Sequence, residues 1–149
     1  MGLWNVADQP SPERGVLWLS GGAIVFFVGW VLARGANMQK FFFNLDPSHI
    51  FLGIFEPETV HDRSKALLCS GFWGLSRHIN YLGEILMATG LAWVLGWPAA
   101  IGPWLYPLYY VLLLVPRERD DHRRCAAKYC VLWEAYCRRV RHRIIPGVY

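Results

Sequence analysis

Long stretches without charged side chains alternate with short polar ones along this chain, and the first of them predicts a membrane helix. Residues 15–33 contain no charged side chain. A helix of about 20 apolar residues crosses the hydrocarbon core of a bilayer. The stretch is long for the apolar part of a signal peptide. The pattern therefore predicts a transmembrane helix at about residues 15–33.

A second uncharged stretch, residues 85–115, is too long for one membrane helix, and prolines interrupt it. It predicts a helical hairpin at about residues 75–115, with arms over residues 81–97 and 104–115. Between the first helix and this hairpin, residues 44–65 contain Asp-Pro and Glu-Pro dipeptides, which favour turns. We expect a polar loop there.

The composition also favours a membrane protein. Hydrophobic residues make up 54% of the chain and charged residues only 17%, which is more apolar surface than a soluble core needs. We therefore expect an all-α integral membrane protein, a multi-helix transmembrane bundle with re-entrant or interfacial helices. Membrane lipids are expected partners.

Basic residues concentrate at the C-terminal end of the chain. Nine of the fifteen Lys and Arg residues follow residue 116, an excess that is typical of cytoplasmic segments. The charge predicts a cytosolic amphipathic helix at about residues 117–140 and a cytosolic tail at residues 141–149. The membrane is expected to be that of the endoplasmic reticulum in a eukaryote, or the inner membrane in a bacterium. Aromatic residues among the cations, and the adjoining membrane hairpin, argue against nucleic acid as a partner.

The sequence lacks the motifs of several common classes of site. The four cysteines form no C-x-x-C pair and have no matching histidine spacing, so we predict free thiols and no metal site. Neither G-x-G-x-x-G nor G-x-x-x-x-G-K-[ST] occurs, which excludes a Rossmann fingerprint and a P-loop.

Four polar side chains share one face of the first hairpin arm, if the chain is helical from about Trp73 onward. They are Arg77, Asn80, Tyr81 and Glu84. Ionisable groups at membrane depth are costly unless they are paired or face water, so they mark functional sites. The alternative is a structural network between Arg77 and Glu84 that only fixes the helix end.

A second polar face is predicted on the basic C-terminal helix. Its residues are spaced by three or four and share an arc of about 100°. They are Arg117, Asp121, Cys125, Lys128, Leu132 and Tyr136. Tyr129 and Trp133 fall on the adjoining apolar face, and Arg124 falls on the side expected to meet water. An amphipathic helix lying on anionic headgroups would explain the arginines, but it would not explain the positions of Asp121 and Tyr136.

Cations accompany both polar faces. Arg77 lies on the first face, and Arg117 and Lys128 lie on the second, while Lys40 follows the first predicted helix. Arginine forms forked pairs with phosphate oxygens, and lysine supplies a point charge. The residues therefore predict a polyanionic, partly aromatic ligand, and they do not indicate the reaction.

Four segments of the chain resemble the sterol reductase family, which includes sterol C14-reductases, 7-dehydrocholesterol reductase and the C-terminal domain of the lamin B receptor. They are "RGANMQK" at residues 34–40, "LLCSGFWGLSRHINYLGE" at 67–84, "PWLYPLYYVLLLVPRERDDHRRCAAKYCVLWEAYC" at 103–137 and "RIIPGVY" at 143–149. The resemblance is slightly greater to the C14 enzymes. It implies NADPH-dependent reduction of a sterol ring double bond, at C14 rather than C7, in a multi-helix membrane fold. This chain resembles the C-terminal, cofactor-binding part of that fold, without the N-terminal helices that complete the sterol cavity.

The resemblance also implies a set of NADPH contacts, carried over where the motifs match. The residues are Lys40, Leu68, Trp73, Asn80, Tyr81, Arg117, Asp121, Cys125, Ala126, Ala127, Lys128, Tyr129 and Tyr136. A ring alkene must be protonated before it accepts a hydride, so the reaction needs an acid. Asp121, Tyr81 and Tyr136 are the candidate catalytic residues, and the acid can also belong to the N-terminal helices. Arg77, His78 and Glu84 are expected to support the wall of the site.

The chain departs from the family pattern at three positions, and two other functions compete with the reductase. Asn44 stands where some members have arginine, Glu84 where aspartate is common, and Cys130 where glycine is usual. Membrane isoprenylcysteine methyltransferases, which use S-adenosylmethionine, have a similar arginine-histidine pair, but the "RDD…C…KY…Y" pattern favours the reductases. The other alternative is a non-catalytic sterol-binding or scaffolding protein.

Overall fold

The computed structural model describes residues 12–62, 65–96 and 101–149, with side chains described from residue 15 onward. Within these residues the chain forms five α-helices and one small sheet. The helices are α1 (Pro12–Leu45), α2 (Phe72–Leu75), α3 (Ile79–Leu95), α4 (Leu105–Tyr129) and α5 (Val131–Arg139). The strands are β1 (Thr59–His61) and β2 (Ala66–Leu68), and a 3-10 turn, Gly102–Trp104, precedes α4. Trp97, the expected end of the first hairpin arm, lies outside the described residues.

α1 is longer than the span predicted at residues 15–33. It continues to Leu45 because no helix breaker precedes Asp46 and Pro47. Its segment Gly15–Leu45, whose most apolar 18-residue window has a mean hydropathy of 2.1, is the one helix in the described part of the chain that is long and apolar enough to cross a membrane. Only 17% of its most apolar window is buried. Most of the apolar surface of α1 therefore faces away from the rest of the chain.

Glycines allow α1 and α3 to approach each other closely. Gly22 faces Gly90 and Gly29 faces Gly83, which makes the two helices antiparallel. A Cβ built on Gly29 would lie 2.6 Å from the carbonyl oxygen of Gly83, closer than any real side chain tolerates. Small residues at such crossings are typical of membrane helices, whose association depends on close packing rather than on a hydrophobic effect. α3 also contacts α4, and α4 extends to Tyr129, beyond the end predicted for the hairpin at residue 115.

The helix predicted through the start of the hairpin is interrupted between α2 and α3. Ser76 takes an extended backbone, with φ −156° and ψ 160°. The backbone N–H groups of Arg77 and His78 donate to the carbonyl oxygens of His142 and Arg143, at 3.0 and 2.8 Å. These bonds to the C-terminal tail replace the helical bonds that the link does not form. Residues 76–78 thus form a link that the tail holds in place.

A β-hairpin corrects both the all-α expectation and the loop predicted at residues 44–65. β1 and β2 pair antiparallel, with Thr59 opposite Leu68 and His61 opposite Ala66. β-branched side chains such as Thr59 and Val60 favour the extended backbone. The irregular connection therefore begins after α1 and ends at a strand, and the hairpin brings β2 against the helices.

The C-terminal amphipathic helix predicted at about residues 117–140 is divided between two helices, of which α5 ends at Arg139, close to the predicted end. α4 begins at Leu105 and contains Pro116 in its interior. α4 ends where Cys130 takes φ 47°, in the left-handed region that residues other than glycine rarely adopt. The helical phase is lost there, so Leu132 and Tyr136 do not continue the face that carries Asp121. α5 instead packs back on the sheet.

Two buried clusters hold these elements together. One joins α1, β2, α2 and α3 through Ala36, Leu68, Trp73 and Ile79. The other joins β2 to α5 and the tail through Cys69, Trp133, Tyr136 and Val140. All four cysteines of the chain are free thiols.

Candidate functional site

A cavity of about 390 Å³ lies where α1, β2, the link between α2 and α3, α4 and α5 meet. Its volume is within the range of sites for small molecules. Eleven of the sequence-predicted site and support residues line it. They are Lys40, Leu68, Trp73, Arg77, His78, Asn80, Tyr81, Asp121, Cys125, Tyr129 and Tyr136. Residues from seven separate segments thus meet at one cavity.

The cavity wall combines cations with aromatic rings. Lys40 Nζ lies 4.7 Å from the centroid of the Trp73 ring, within the range of a cation–π contact. Trp73 Nε1 donates to the carbonyl oxygen of Ala36 at 2.8 Å, which fixes the ring. Arg77 and Arg124 add two further cations. An anionic ligand with flat rings matches such a wall.

Tyr81 and Asp121 form the shortest polar contact in the cavity wall. Tyr81 Oη donates to Asp121 Oδ2 at 2.6 Å, a length typical of a hydrogen bond to a carboxylate. The bond joins α3 to α4, and both side chains are partly buried. A hydroxyl and a carboxylate in contact can exchange a proton with a bound substrate.

His78 lies beside this pair and is neutral at pH 7. Its ring stacks on that of Tyr81, with centroids 4.8 Å apart and planes at 19°. Burial is the main cause that lowers the pKa of His78 to about 4, and the positive charge of Arg77 acts in the same direction. The negative charge of Asp121 opposes this shift without cancelling it.

Arg77 binds to α5 and the tail, and not to the carboxylate expected in the alternative structural network. Its Nη1 donates to Cys137 Sγ at 2.6 Å and its Nη2 to the carbonyl oxygen of Arg141 at 3.4 Å. Glu84 does not line the cavity, and its charge acts on Tyr110 of α4. The role of Glu84 as a support of the cavity wall stays a prediction.

Burial keeps two further groups of the wall protonated. It raises the pKa of the Tyr136 hydroxyl and of the Cys125 thiol above their ordinary values. Cys125 is therefore present as a thiol, which is a poor nucleophile. Tyr136 packs against Trp133, with ring centroids 5.2 Å apart, and Trp133 Nε1 donates to His122 Nδ1 at 3.2 Å.

Two buried polar atoms beside the cavity have no hydrogen-bond partner among the described residues. They are Asn80 Oδ1, an acceptor, and Arg77 Nε, a donor. Buried polar atoms are nearly always satisfied in folded proteins, and each exception needs an explanation. A ligand that supplies one donor and one acceptor would satisfy both atoms.

Four of the predicted cofactor contacts do not line the cavity. Ala126, Ala127 and Lys128 lie on the exposed face of α4. Arg117 lines a second, shallower depression on the other side of Asp121, together with Arg124. Ala126 and Ala127 follow Cys125 by one and two residues, so helical geometry turns them away from the face of α4 that carries Asp121 and Cys125.

Six residues that line the cavity were not predicted to be part of the site. They are Phe43, Asn44, Ala66, Leu67, Arg124 and Trp133. Arg124 follows Asp121 by three residues, so helical spacing was a signal for it. The β2 residues gave no such signal, because only the tertiary fold brings the hairpin to α1 and α4.

Comparison with known proteins shows the family of this chain. Residues 10–149 match the Ergosterol biosynthesis ERG4/ERG24 family. A Delta(14)-sterol reductase of Arabidopsis thaliana is 41% identical over 85% of this chain and 33% of its own length. The mouse Delta(14)-sterol reductase TM7SF2 is 44% identical over 82% of this chain and 29% of its own length. A probable 7-dehydrocholesterol reductase of Acanthamoeba polyphaga mimivirus is 34% identical over 85% of this chain and 28% of its own length.

The chain belongs to the ERG4/ERG24 family, which is a family of membrane proteins. This confirms the resemblance to sterol reductases drawn from the four sequence segments. The chain spans about a third of the length of the curated relatives it matches. Sterol reductases are oxidoreductases, which suggests a nicotinamide cofactor.

Proposed function

We propose that this chain is the C-terminal, cofactor-binding part of an NADPH-dependent sterol reductase that acts on the Δ14 double bond. The observation that supports this most is the cavity that joins Lys40, Trp73 and the Tyr81–Asp121 pair. In this proposal the sterol is the second ligand, and helices corresponding to the N-terminal part of the relatives complete its cavity.

The residues of the cavity fit a nicotinamide dinucleotide. Asn80 Oδ1 is a buried acceptor without a partner, and it suits the N–H groups of a carboxamide. Arg77 Nε is a buried donor without a partner, and it suits an anionic oxygen. Lys40 and Arg124 supply the charge that phosphates require, and Trp73 and Tyr129 supply flat surfaces for the rings.

NADPH, when bound, supplies the hydride. This chain contributes the positions of the surrounding groups and a proton at the Tyr81 hydroxyl. If Tyr81 gives its proton to the substrate, Asp121 Oδ2, which lies within hydrogen-bond distance of Tyr81 Oη, can take up a proton from water and return it to the Tyr81 oxygen. Tyr136 is the second candidate donor, and burial raises its pKa and so keeps its proton in place. In the proposed mechanism Tyr81 is the donor, because its hydroxyl has a partner that can return the proton.

The arrangement in the membrane is part of the proposal. α1 and α3 lie in the bilayer, and α4 extends from it with its basic half in the cytosol, which places the C-terminus there. NADPH then enters from the cytosolic side, and the sterol enters from the lipid. The membrane is the endoplasmic reticulum in a eukaryote and the inner membrane in a bacterium.

Titration of the purified protein with NADPH and with S-adenosylmethionine tests the cofactor. We expect NADPH to bind and to quench tryptophan fluorescence, because Trp73 and Trp133 line the cavity. Trp73→Phe should remove most of that quenching, whereas Trp30→Phe, a change on the exposed side of α1, should not. Binding of S-adenosylmethionine alone would support a methyltransferase and contradict the proposal.

Turnover in membranes that contain the protein tests which sterol double bond is reduced. We expect an 8,14-diene sterol to be reduced in preference to a 5,7-diene, since the first relatives above are named Delta(14)-sterol reductases. Preference for the 5,7-diene would assign the Δ7 reaction instead. No turnover of either sterol, with NADPH binding intact, would favour a non-catalytic sterol-binding protein.

A further inference from the structure

Two lysines meet at one aromatic ring at the exposed edge of the cavity. Lys65 Nζ lies 5.1 Å and Lys128 Nζ 5.0 Å from the centroid of the Tyr129 ring. Lys65 Nζ also donates to the carbonyl oxygen of Lys128 at 3.0 Å. Both lysines are exposed, whereas Tyr129 is partly buried and lines the cavity.

The charges at this edge are unbalanced. The ion pairs found in the described part of the chain join Arg123 to Asp120, Arg139 to Glu58 and Arg143 to Glu118, and none includes either lysine. Arg124 lines the same cavity and precedes Lys128 by four residues on one face of α4. Like charges at this spacing destabilise a helix. Two lysines at one ring, with Arg124 one turn before Lys128 on α4, are therefore arranged at a cost that an anionic ligand would offset.

The edge lies far enough from the proposed reaction centre to hold another part of the same ligand. Asp121 and Lys128 are separated by seven residues of α4, or about 10 Å along the helix axis. Ala66, the residue that follows Lys65, lines the cavity, and so does the uncharged Asn44 of α1. The ammonium group of Lys65 is therefore the cation that the β-hairpin places next to this part of the cavity.

We propose that Lys65 binds the 2′-phosphate of the dinucleotide and makes the site selective for NADPH over NADH. A phosphomonoester carries a charge of about −1.5 to −2 at pH 7 and has three acceptor oxygens. Lys65 precedes β2, Lys128 lies on α4, and one hydrogen bond joins the two residues. Their ammonium groups supply two point charges to the phosphate oxygens. This inference rests on the proposed function, because it assumes that the cavity binds a nicotinamide dinucleotide.

A structural role for Lys65 would have a different signature. If Lys65 only fixed the β-hairpin to α4 through its bond to the Lys128 carbonyl, its loss would loosen the whole cavity. Binding of NADPH and NADH would then weaken together. Loss of a contact to the 2′-phosphate weakens the binding of NADPH alone, since NADH has no 2′-phosphate.

The test compares the Kd of NADPH and of NADH in an uncharged detergent for the wild-type protein, Lys65→Gln and Lys65→Arg. We expect Lys65→Gln to raise the Kd of NADPH about tenfold and the Kd of NADH less than twofold. Lys65→Arg should keep the Kd of NADPH close to that of the wild-type protein. Arg119→Gln removes the same charge at an exposed position that lines neither depression near Asp121, and it should leave both constants unchanged.

The outcomes separate the two proposals. An equal loss of NADPH and NADH affinity in Lys65→Gln, or no loss of either, overturns the role of Lys65 while the cofactor site stands. If the wild-type protein binds neither dinucleotide, the proposed function fails, and the role of Lys65 fails with it. Adding vesicles that contain phosphatidic acid tests a lipid phosphate as the alternative source, and Lys65-dependent binding to them without NADPH selectivity contradicts the proposal.

Discussion

Two carboxylates on α4, Glu118 and Asp121, stand three residues apart and meet opposite environments. Glu118 is completely buried, and Arg143 Nη1 of the tail lies 3.5 Å from its Oε2. Asp121 is partly buried, lines the cavity and accepts a hydrogen bond from the neutral hydroxyl of Tyr81. The same helix thus presents one acidic group to the protein interior and another to the site.

The difference shows which charge is available for chemistry. A buried carboxylate needs a cation, since its burial alone costs several kcal/mol, and Glu118 with Arg143 joins α4 to the tail. That tail in turn accepts hydrogen bonds from the link that carries His78. Asp121 has no cation among its hydrogen-bonded partners in the described structure, so its charge is free to act on a ligand or on a proton.

Removal of Asp121 should have the largest effect. We expect Asp121→Ala to lower sterol turnover about 1,000-fold, the size typical of a lost acid–base group, with little change in the free energy of unfolding. Turnover in membranes is the measurement. Asp120→Ala is the matched control, because the neighbouring carboxylate is exposed and pairs only with Arg123 at 3.6 Å. Near-normal turnover in Asp121→Ala would remove this residue from the mechanism.

Removal of Arg143 should instead act on stability. We expect Arg143→Ala to lower the free energy of unfolding by about 3 kcal/mol, because it leaves Glu118 buried without its cation. Denaturant unfolding measures this, with the exposed Arg138→Ala as control. Glu118→Gln removes the charge while keeping the shape, and it should cost only about 1 kcal/mol. Equal effects of Arg143→Ala and Arg138→Ala would show that the buried pair contributes nothing.

The pH dependence of stability should distinguish His78 from the carboxylates beside it. Because burial lowers the pKa of His78 from 6.5 to about 4, the folded state binds fewer protons than the unfolded state in that window. The contribution of His78 is therefore present above pH 6.5 and is lost as the pH falls towards 4. His78→Phe keeps a ring against Tyr81 and should flatten the profile in this window. If His78→Phe leaves the dependence of the free energy of unfolding on pH unchanged, His78 is not the group responsible for it.

Arg117 should have the smallest effect of the four changes. It lines the outer depression beside Asp121 and not the main cavity, so we expect Arg117→Ala to raise the NADPH concentration required for half-maximal turnover about threefold, the effect of a single exposed charge pair. Arg119→Ala, two residues away and exposed, serves as control. A loss as large as that of Asp121→Ala would place Arg117 in direct contact with the ligand.

Helical spacing in the sequence predicted the positions of some cavity residues and not of others. Asp121 and Cys125 share a face by their spacing of four, and α4 is helical there, so both line the cavity. Arg77 also lines the cavity, but it does not share a continuous helix with the residues before it, because the chain leaves the helix at Ser76 to bond to the tail. The spacing rule does not hold beyond Cys130, whose left-handed backbone ends α4.

The sequence by itself determined the apolar helices, the basic C-terminal end, the family and most of the residues around the cavity. These follow from local composition, from periodicity along regular helix and from long motifs. Only the tertiary structure decided where the helices stop, that Glu118 is buried while Asp121 lines the cavity, and that Leu67 and Trp133 reach the cavity. Each of these depends on contacts between residues far apart in the chain, such as those of residues 76–78 with the tail, and such contacts leave no periodic trace in the sequence.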